Sequence, residues 1–167
     1  MVSLEYAGEQ DIALCSQIIE EGRQFQQEQG FTQWTEDYPN VDTIRADVKE
    51  QKAYVVKVDG VIAGYLCIDF AGEPAYKVID GAWCAEGDYA AVHRMAFRPQ
   101  FRGIGLTESV FQLIDGLCRE KGIYMIRMDT DFPNLRMQHV LNKNGFQQCG
   151  VVVFQGSGKL AFDKLLS

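Results

Sequence analysis

One stretch of the sequence, Tyr89–Asn134, constrains the fold more than any other. The apolar run Tyr89–Phe97 predicts a strand, and the loop Gln100-Phe101-Arg102-Gly103-Ile104-Gly105 follows it. Helical spacing of apolar residues predicts a helix of about four turns over Leu106–Lys121. A second apolar run, Ile123–Thr130, predicts another strand. Two consecutive strands joined through a helix predict a parallel pair in one sheet.

The loop and the start of this helix together have the chemistry of an anion site. N–H groups in the first turn of a helix lack intrahelical partners, and the helix dipole adds partial positive charge there. Gly103 and Gly105 let the backbone approach a ligand because they have no Cβ. Arg102 adds a full positive charge. We therefore predict that a phosphate-bearing ligand binds at this loop.

The rest of the sequence adds strands and helices before and after this stretch. The predicted strands are Val2–Tyr6, a hairpin of Ala53–Val58 and Val61–Phe70 around Asp59-Gly60, and a hairpin of Phe146–Phe154 and Lys159–Asp163 around Gln155-Gly156-Ser157-Gly158. The predicted helices are Glu9–Gln29, a helix from a cap at Asn40 or Asp42 to about Gln51, and Leu135–Asn144. Tyr76–Trp83 is either irregular or a short edge strand.

The resulting order is β-α-α-β-β-β-α-β-α-β-β. This order predicts an α/β protein with a mixed sheet, in which an antiparallel meander precedes a parallel β-α-β unit and helices cover both faces. A length of 167 residues fits a single domain spanning 1–167 with a substantial core.

Composition excludes several classes of protein. No apolar run approaches the roughly 20 residues of a membrane span, and Met1–Tyr6 lacks the features of a secretory leader. The 5 cysteines are scattered and include no Cys-x-x-Cys pair. We therefore expect a cytoplasmic protein with reduced thiols that serve mostly as small buried apolar side chains, and no metal site.

The charge distribution is more informative than the net charge. A net charge of −7 argues against a nucleic-acid partner. Residues 1–90 hold 17 acidic and 6 basic residues, whereas residues 91–167 hold 6 acidic and 10 basic residues. One explanation is a solvated acidic surface on the N-terminal helices. The other is that an anionic ligand approaches the basic half and a cationic ligand approaches the acidic half.

These motifs resemble those of the GCN5-related N-acetyltransferase superfamily. Its acetyl-CoA motif, Arg/Gln-x-x-Gly-x-Gly/Ala, stands here as Gln100–Gly105, and its second block stands as Asn134 with Gly145-Phe146. Further residues resemble a bacterial subgroup with poorly defined acceptors, namely Trp34, Tyr38-Pro39-Asn40, His93-Arg94 and Met137-Gln138. A dinucleotide-binding oxidoreductase is excluded because Glu108 breaks the Gly-x-Gly-x-x-Gly pattern.

The resemblance implies the fold of that superfamily, with acetyl-CoA as the cosubstrate. It implies that backbone groups of Met95, Ala96 and Phe97 bind the pantetheine arm as if it were an added strand. It also implies that the pyrophosphate binds to backbone N–H groups of Arg102, Gly103, Ile104, Gly105, Leu106 and Thr107. Asn134 is expected to contact the arm as well. A strand bulge near Met95 is expected to free an N–H for the thioester carbonyl.

The candidates for proton transfer are His93 and Asp129, with Glu73 and Asp131 as further possible proton acceptors. Alternation places His93 on the same strand face as Met95 unless a bulge intervenes, so His93 either accepts the proton of an acceptor amine or is hydrogen-bonded within the sheet. Asp129 lies near the carboxyl end of the second strand, where open sheets bind ligands. Asp131 is expected to cap the last helix. The tyrosine acid usual in the superfamily is replaced by Leu141, although a thiolate with a pKa of about 8.5 leaves without a strong acid.

The acceptor side is predicted less directly. Trp34, Tyr38, Glu73 and Tyr76 are candidate acceptor-binding residues, because aromatic rings and carboxylates together suit a cation. Alternatively, Trp34 packs the helices onto the sheet. The resemblance implies that a small-molecule or peptide amine attacks acetyl-CoA directly in a ternary complex. The alternative function is a non-catalytic acyl-CoA sensor, and the sequence fits either a monomer or a homodimer.

Overall fold

The structure is a computed structural model that describes every residue from Met1 to Ser167. The strands are β1 (Val2–Tyr6), β2 (Ala53–Val58), β3 (Val61–Asp69), β4 (Asp80–Gly81), β5 (Ala90–Phe97), β6 (Met125–Thr130), β7 (Gln147–Phe154) and β8 (Ser157–Leu165). The helices are α1 (Ile12–Glu28), α2 (Val41–Lys49), α3 (Leu106–Glu120) and α4 (Leu135–Lys143). None of these helices combines the length and the apolar character that crossing a bilayer requires.

The strands form one mixed sheet, as the sequence predicts. Their order is β1-β2-β3-β5-β6-β8-β7-β4. β5 and β6 pair in parallel only at the start of β5, through Ala90 with Ile126 and Ala91 with Arg127. The pairs β1–β2, β2–β3, β6–β8, β7–β8 and β4–β7 are antiparallel. The predicted parallel β-α-β unit within a mixed sheet is therefore confirmed.

The chain divides into two compact units. The first unit contains residues 1–68 and 94–113, and its core is formed by one face of α1, by α2 and by the strands β2 and β3. Cys15, Ile18 and Ile19 repeat at helical spacing and point into this core because residues three and four apart share one face of a helix. Ile44 of α2 is fully buried in the same core.

The second unit contains residues 69–93 and 114–167. An aromatic cluster organises part of it, since Tyr76, Trp83 and Tyr89 pack with Ala91 and with small residues of β7 and β8. Tyr76 is 1% exposed and stands in a short 3-10 turn, Pro74–Lys77. β5 contributes its first four residues to this unit and its last four to the first unit.

Local signals predict most elements correctly. Asp59-Gly60 turns the β2–β3 hairpin, and Asn40 caps α2 by accepting the N–H groups of Asp42 and Thr43 at 3.0 and 3.3 Å. The ambiguous segment Tyr76–Trp83 holds the end of the 3-10 turn and the two-residue strand β4, which pairs with β7.

Two predicted details are wrong. Only Gln155-Gly156 connects β7 to β8, because Ser157 already pairs with Phe154. Asp131 does not cap α4, since the side chain of Asn134 accepts the Met137 N–H at 3.1 Å. The Asp131 carboxylate instead forms an ion pair with the ammonium of Lys159.

Candidate functional site

The glycine loop before α3 leaves its backbone open. Gly103 and Gly105 both have φ of +77°, and a Cβ built on either would meet no atom within 4 Å. No backbone hydrogen bond within the protein uses the N–H groups of Gly103, Ile104 or Gly105. The first N–H groups of α3 follow directly, without intrahelical partners. The loop therefore presents a run of donors beside open space, which is the chemistry of a phosphate cradle.

The Arg102 side chain, which is predicted to add charge to the anion site, is held by contacts within the first unit. Its guanidinium donates to the carbonyl oxygens of Phe97 and Glu21 at 3.0 and 3.2 Å, and it lies 4.0 Å above the ring of Phe25. Its backbone N–H donates to Pro99 O at 3.3 Å. These contacts fix the start of the loop to α1 and to the end of β5, so the side chain positions the glycines.

β5 departs from regular strand geometry one residue before Met95. Arg94 has φ of +56°, a left-handed backbone conformation that is uncommon for a residue with a side chain. The predicted irregularity near Met95 is thus found at Arg94. Arg94 lies between His93 and Met95. The regular alternation that would place the side chains of His93 and Met95 on one face of the strand therefore does not apply.

A buried polar cluster within the first unit anchors Arg94. Its Nε and Nη2 atoms donate to the two carboxylate oxygens of Asp47 at 3.0 and 2.7 Å, and its Nη1 donates to the Tyr38 hydroxyl at 2.6 Å. Asp47 also accepts the Tyr65 hydroxyl at 2.5 Å. The side chains of Arg94 and Asp47 are only 11% and 6% exposed. Such a bidentate pair fixes the orientation of the guanidinium and also balances its charge, because the planar guanidinium matches the geometry of a carboxylate.

Sequence reasoning missed Asp47 and Tyr65 as partners of this arginine. The available signal was a permanently charged residue, Arg94, within the mostly apolar strand Ala90–Phe97. A buried charge requires an opposite charge, so a partner carboxylate was to be expected. Its position on α2, 47 residues earlier, depends on tertiary packing and has no local signature.

His93 lies in the second unit in a mostly aromatic environment. Its ring stacks on Phe154 with centroids 5.2 Å apart, and the ring of Tyr76 lies 6.0 Å away. The His93 Nε2 atom lies 3.4 Å from Glu73 Oε1, and no hydrogen bond joins them. His93 is 8% exposed, so this nitrogen is buried without a hydrogen-bond partner beside a carboxylate. An imidazole nitrogen in this position has the chemistry of a proton acceptor.

Tyr76 and Asp129 form a second polar pair in the same unit. The Tyr76 hydroxyl donates to Asp129 Oδ2 at 2.5 Å. Burial raises the pKa of the Asp129 carboxyl, while the hydrogen bond from Tyr76 and the nearby His93 and Lys159 oppose that rise. Burial, reinforced by the Asp129 carboxylate, also raises the pKa of the Tyr76 hydroxyl. A carboxylate with a raised pKa is a stronger base than an exposed aspartate.

The other predicted acceptor-binding residues belong to the framework of their own units. Trp34 is 8% exposed and packs in the core of the first unit, where Gly22 leaves room for its ring. Tyr38 accepts a hydrogen bond from Arg94. Glu73 caps the 3-10 turn by accepting the Ala75 N–H at 3.0 Å.

Leu141, at the position of the usual tyrosine, is fully buried. His139 is exposed on α4.

Comparison with known proteins agrees with this geometry. A family model described as acetyltransferase (GNAT) family matches residues 17–146. The crystal structure of a GNAT family acetyltransferase from Streptococcus agalactiae 2603 is 35% identical, covers 99% of this chain and 96% of its own, and superposes with a TM-score of 0.90. The aminoglycoside acetyltransferase AAC(6')-Ib, crystallised with coenzyme A and kanamycin, shares the fold at 20% identity, covering 99% of this chain and 95% of its own, with a TM-score of 0.72.

A curated relative matches part of the sequence. It is provisionally named ribosomal protein bS18 alanine N-acetyltransferase, from Bacillus subtilis (strain 168), and is 28% identical over 97 residues. The match covers 58% of this chain and 54% of that protein, so the chain spans about half the length of this relative. Because the family model covers most of the sequence and a solved family member is 35% identical over nearly its whole length, the chain belongs to the acetyltransferase (GNAT) family.

Proposed function

We propose that this protein transfers an acetyl group from acetyl-CoA to the amine of a small-molecule or peptide acceptor. The observation that carries the proposal is the left-handed backbone at Arg94, held by Asp47 just before Met95 and followed along the chain by the open glycine loop. A buried ion pair and an uncommon φ both cost free energy. Both occur at Arg94, and such a cost is expected where the fold has to hold a backbone group in a fixed direction.

The cosubstrate binds through backbone donors of the first unit. The pyrophosphate accepts hydrogen bonds from the N–H groups of Gly103 through Thr107, and the dipole of α3 favours its charge. The pantetheine arm pairs with the backbone of Met95, Ala96 and Phe97 in the manner of an added strand. The positions of Gly103 and Gly105 support this assignment, since no side chain obstructs the loop there.

The reacting carbonyl is polarised by the N–H of Met95. Attack by an amine places negative charge on the thioester oxygen, and a fixed backbone donor stabilises that charge without reorganisation. The ion pair of Arg94 with Asp47 holds the backbone in the conformation that aims this donor. Arg94 is therefore a positioning residue, since its guanidinium is already occupied by Asp47 and Tyr38.

The acceptor must lose a proton before it attacks. An unshifted alkyl ammonium titrates near pH 10.4, so at neutral pH a protein base has to receive the proton. His93 takes this proton directly or through a water molecule, and the Glu73 carboxylate at 3.4 Å stabilises the imidazolium. Asp129, whose pKa is raised by burial, is the second proton acceptor.

The leaving group requires little assistance. A CoA thiolate with a pKa of about 8.5 departs without a strong acid. Leu141, which replaces the usual tyrosine, is fully buried and has no proton to give. The amine attacks acetyl-CoA directly, the C–S bond breaks, and the thiolate takes its proton from water.

The acceptor is a cationic amine. Glu73 and Asp129 supply negative charge, and Tyr76 adds an aromatic ring beside them. The related AAC(6')-Ib was crystallised with the aminoglycoside kanamycin, and the Bacillus subtilis relative is provisionally named for a protein alanine. Polyamino compounds and peptide N-termini are therefore the first acceptors to test.

The test measures release of free thiol from acetyl-CoA in the presence of aminoglycosides, polyamines, amino acids and peptides. We expect at least one class of amine to accelerate thiol release well above the hydrolysis seen without an acceptor. If acetyl-CoA binds but no amine accelerates release, the acyl-CoA sensor becomes the better account. If acetyl-CoA does not bind, both accounts fail.

A further inference from the structure

A cluster of metal-ligating side chains lies in the second unit and takes no part in the proposed chemistry. Cys84 follows β4, Cys149 lies on β7, and Asp163 lies on β8. One ligand atom from each falls within 4.8 Å of the others, and the two Sγ atoms are 3.9 Å apart. The β7–β8 hairpin and the segment after β4 thus bring two thiols and a carboxylate together.

The backbone is built to allow this approach. A Cβ on Gly81 would lie 2.3 Å from Cys149 O, and a Cβ on Gly150 would lie 2.1 Å from Asp80 O, so neither glycine can be replaced without moving β4 away from β7. The Ala82 N–H donates to Cys149 O at 3.1 Å, and the Cys84 N–H donates to Asp163 Oδ2 at 2.7 Å. The chain around Cys84 is therefore fixed to both β7 and β8.

The spacing matches tetrahedral coordination. Two thiolates bound to one ion at about 2.3 Å and at the tetrahedral angle stand about 3.8 Å apart. The observed Sγ–Sγ separation is 3.9 Å, close to that value. Gln147 Oε1 lies 3.4 Å from Cys84 Sγ and offers an oxygen as a fourth ligand, which water could supply equally well.

The negative charge of the Asp163 carboxylate in this cluster also favours a bound cation. Asp163 is 1% exposed and lies against both thiols. A divalent cation bound by the two sulfur atoms would also compensate the negative charge of this buried carboxylate.

We propose that Cys84, Cys149 and Asp163 bind a thiophilic divalent cation of the Zn²⁺ type. The ion has a structural role. It connects the segment after β4 to β7 and β8, next to Trp83, whose indole N–H donates to Tyr76 O at 3.0 Å. It thereby restrains the aromatic cluster around Tyr76.

A disulfide between the two cysteines is the competing chemistry. It requires the sulfur atoms to approach from 3.9 Å to about 2.05 Å, and it needs an external oxidant. It also adds no positive charge beside the buried Asp163 carboxylate, whereas a cation binds all three groups. The geometry therefore favours the ion.

The test is a Zn²⁺ titration of the reduced, chelator-treated full-length protein against a chromophoric competitor. We expect one Zn²⁺ per chain, release of two protons on binding, and a melting temperature that rises with free Zn²⁺. With Co²⁺ as the probe, a thiolate-to-metal charge-transfer band is expected. Cys84→Ser and Asp163→Asn should each weaken binding by about 10- to 100-fold or more.

Asp80→Asn is the matched control, because Asp80 is an exposed carboxylate on β4 outside the cluster. It should bind Zn²⁺ like the wild type. Cys84 is exposed, so Cys84→Ser is expected to fold, which a circular dichroism spectrum checks. The proposal is overturned if the wild type binds no Zn²⁺, if the variants bind it equally well, or if mild oxidation removes two thiols from a protein that binds no metal when reduced.

Discussion

Arg94 and Asp47 show how much one buried charge can determine in this fold. Arg94 stands in an apolar strand with a left-handed backbone, and Asp47 satisfies its guanidinium with two hydrogen bonds. Tyr38 and Tyr65 bind the same pair from two further segments. Since each group depends on the others, removal of any one leaves a buried polar atom without its partner.

Replacing Asp47 by alanine should therefore be strongly destabilising. Asp47→Ala leaves the Arg94 guanidinium buried without a counter-charge, and we expect the free energy of unfolding to fall by about 3–5 kcal/mol. Asp42→Ala is the control, because Asp42 forms an exposed ion pair with Arg45 on the same helix. It should cost less than about 1 kcal/mol. Urea denaturation followed by circular dichroism measures both, and equal losses would contradict the anchoring role of the buried pair.

His93 is tested by a change that keeps its size and removes its basicity. His93→Gln should lower kcat at saturating acceptor by about 10²- to 10⁴-fold and leave acetyl-CoA affinity unchanged, because a general base acts on the acceptor proton. His139→Gln, at the exposed histidine of α4, should have no effect on either quantity. Turnover of His93→Gln at the wild-type rate across pH 6 to 9 would remove His93 from the mechanism.

Asp129 gives a prediction on pH dependence. Burial raises its pKa in the folded protein above the ordinary carboxyl value, so folding favours the protonated form. This contribution to stability is fully present below the unfolded pKa and is lost as pH rises through the folded pKa. Asp129→Asn has no such loss, so its stability relative to the wild type should increase between pH 4 and pH 7. Denaturant titrations at both pH values measure the change, and a difference independent of pH would contradict it.

At the scale of elements, the glycine loop before α3 can be tested against a matched turn. Gly103 and Gly156 have φ of +77° and +78°, and both have open space where a Cβ would stand. Gly103→Ala and Gly156→Ala should therefore cost similar stability, about 1 kcal/mol each. Only Gly103→Ala should weaken acetyl-CoA binding, measured by calorimetry. Equal affinities in the two variants would refute the assignment of the loop.

Elements determined by neighbouring residues could be predicted from the sequence, and those determined by tertiary contacts could not. Asp59-Gly60 and the cap at Asn40 have strong local signals, and both predictions are confirmed. β4 is two residues long and exists because it pairs with Gly150 and Val151, far along the chain. A strand of two residues is too short to be predicted from hydrophobic periodicity.

The candidate site also contains one part determined by neighbouring residues and another part determined by tertiary contacts. The loop from Gly103 to Thr107 is contiguous, so its motif is visible in the sequence. The pairs of Tyr76 with Asp129 and of Arg94 with Asp47 join residues 53 and 47 positions apart. Sequence reasoning selected Tyr76 and Asp129 separately, for different roles, and did not pair them. Asp131 was predicted as a cap because capping is a local pattern, yet the ammonium of Lys159 on β8 pairs with it.

At the scale of the whole molecule, the acidic excess in residues 1–90 and the basic excess in residues 91–167 can both be explained by the charges of the two proposed substrates. The basic half contains the glycine loop, and the acidic half contains Glu73. An anionic cosubstrate and a cationic acceptor would each meet a favourable field. We therefore expect kcat/KM for a polyamine acceptor to fall as the salt concentration rises, and to fall less for an uncharged amine. An equal response of both acceptors to salt would contradict charge-guided binding.

Direct passage of an acetyl group from acetyl-CoA to an amine can be followed with an isotopic label. Acetyl-CoA with a labelled acetyl group is incubated with the protein and an active amine, and mass spectrometry follows both the amine and the protein. We expect label on the amine in a one-to-one ratio with free thiol, and no label on the protein. Labelled protein that chases into the amine would contradict direct attack, and acetyl-CoA that stays bound and intact with every amine would contradict the enzyme itself.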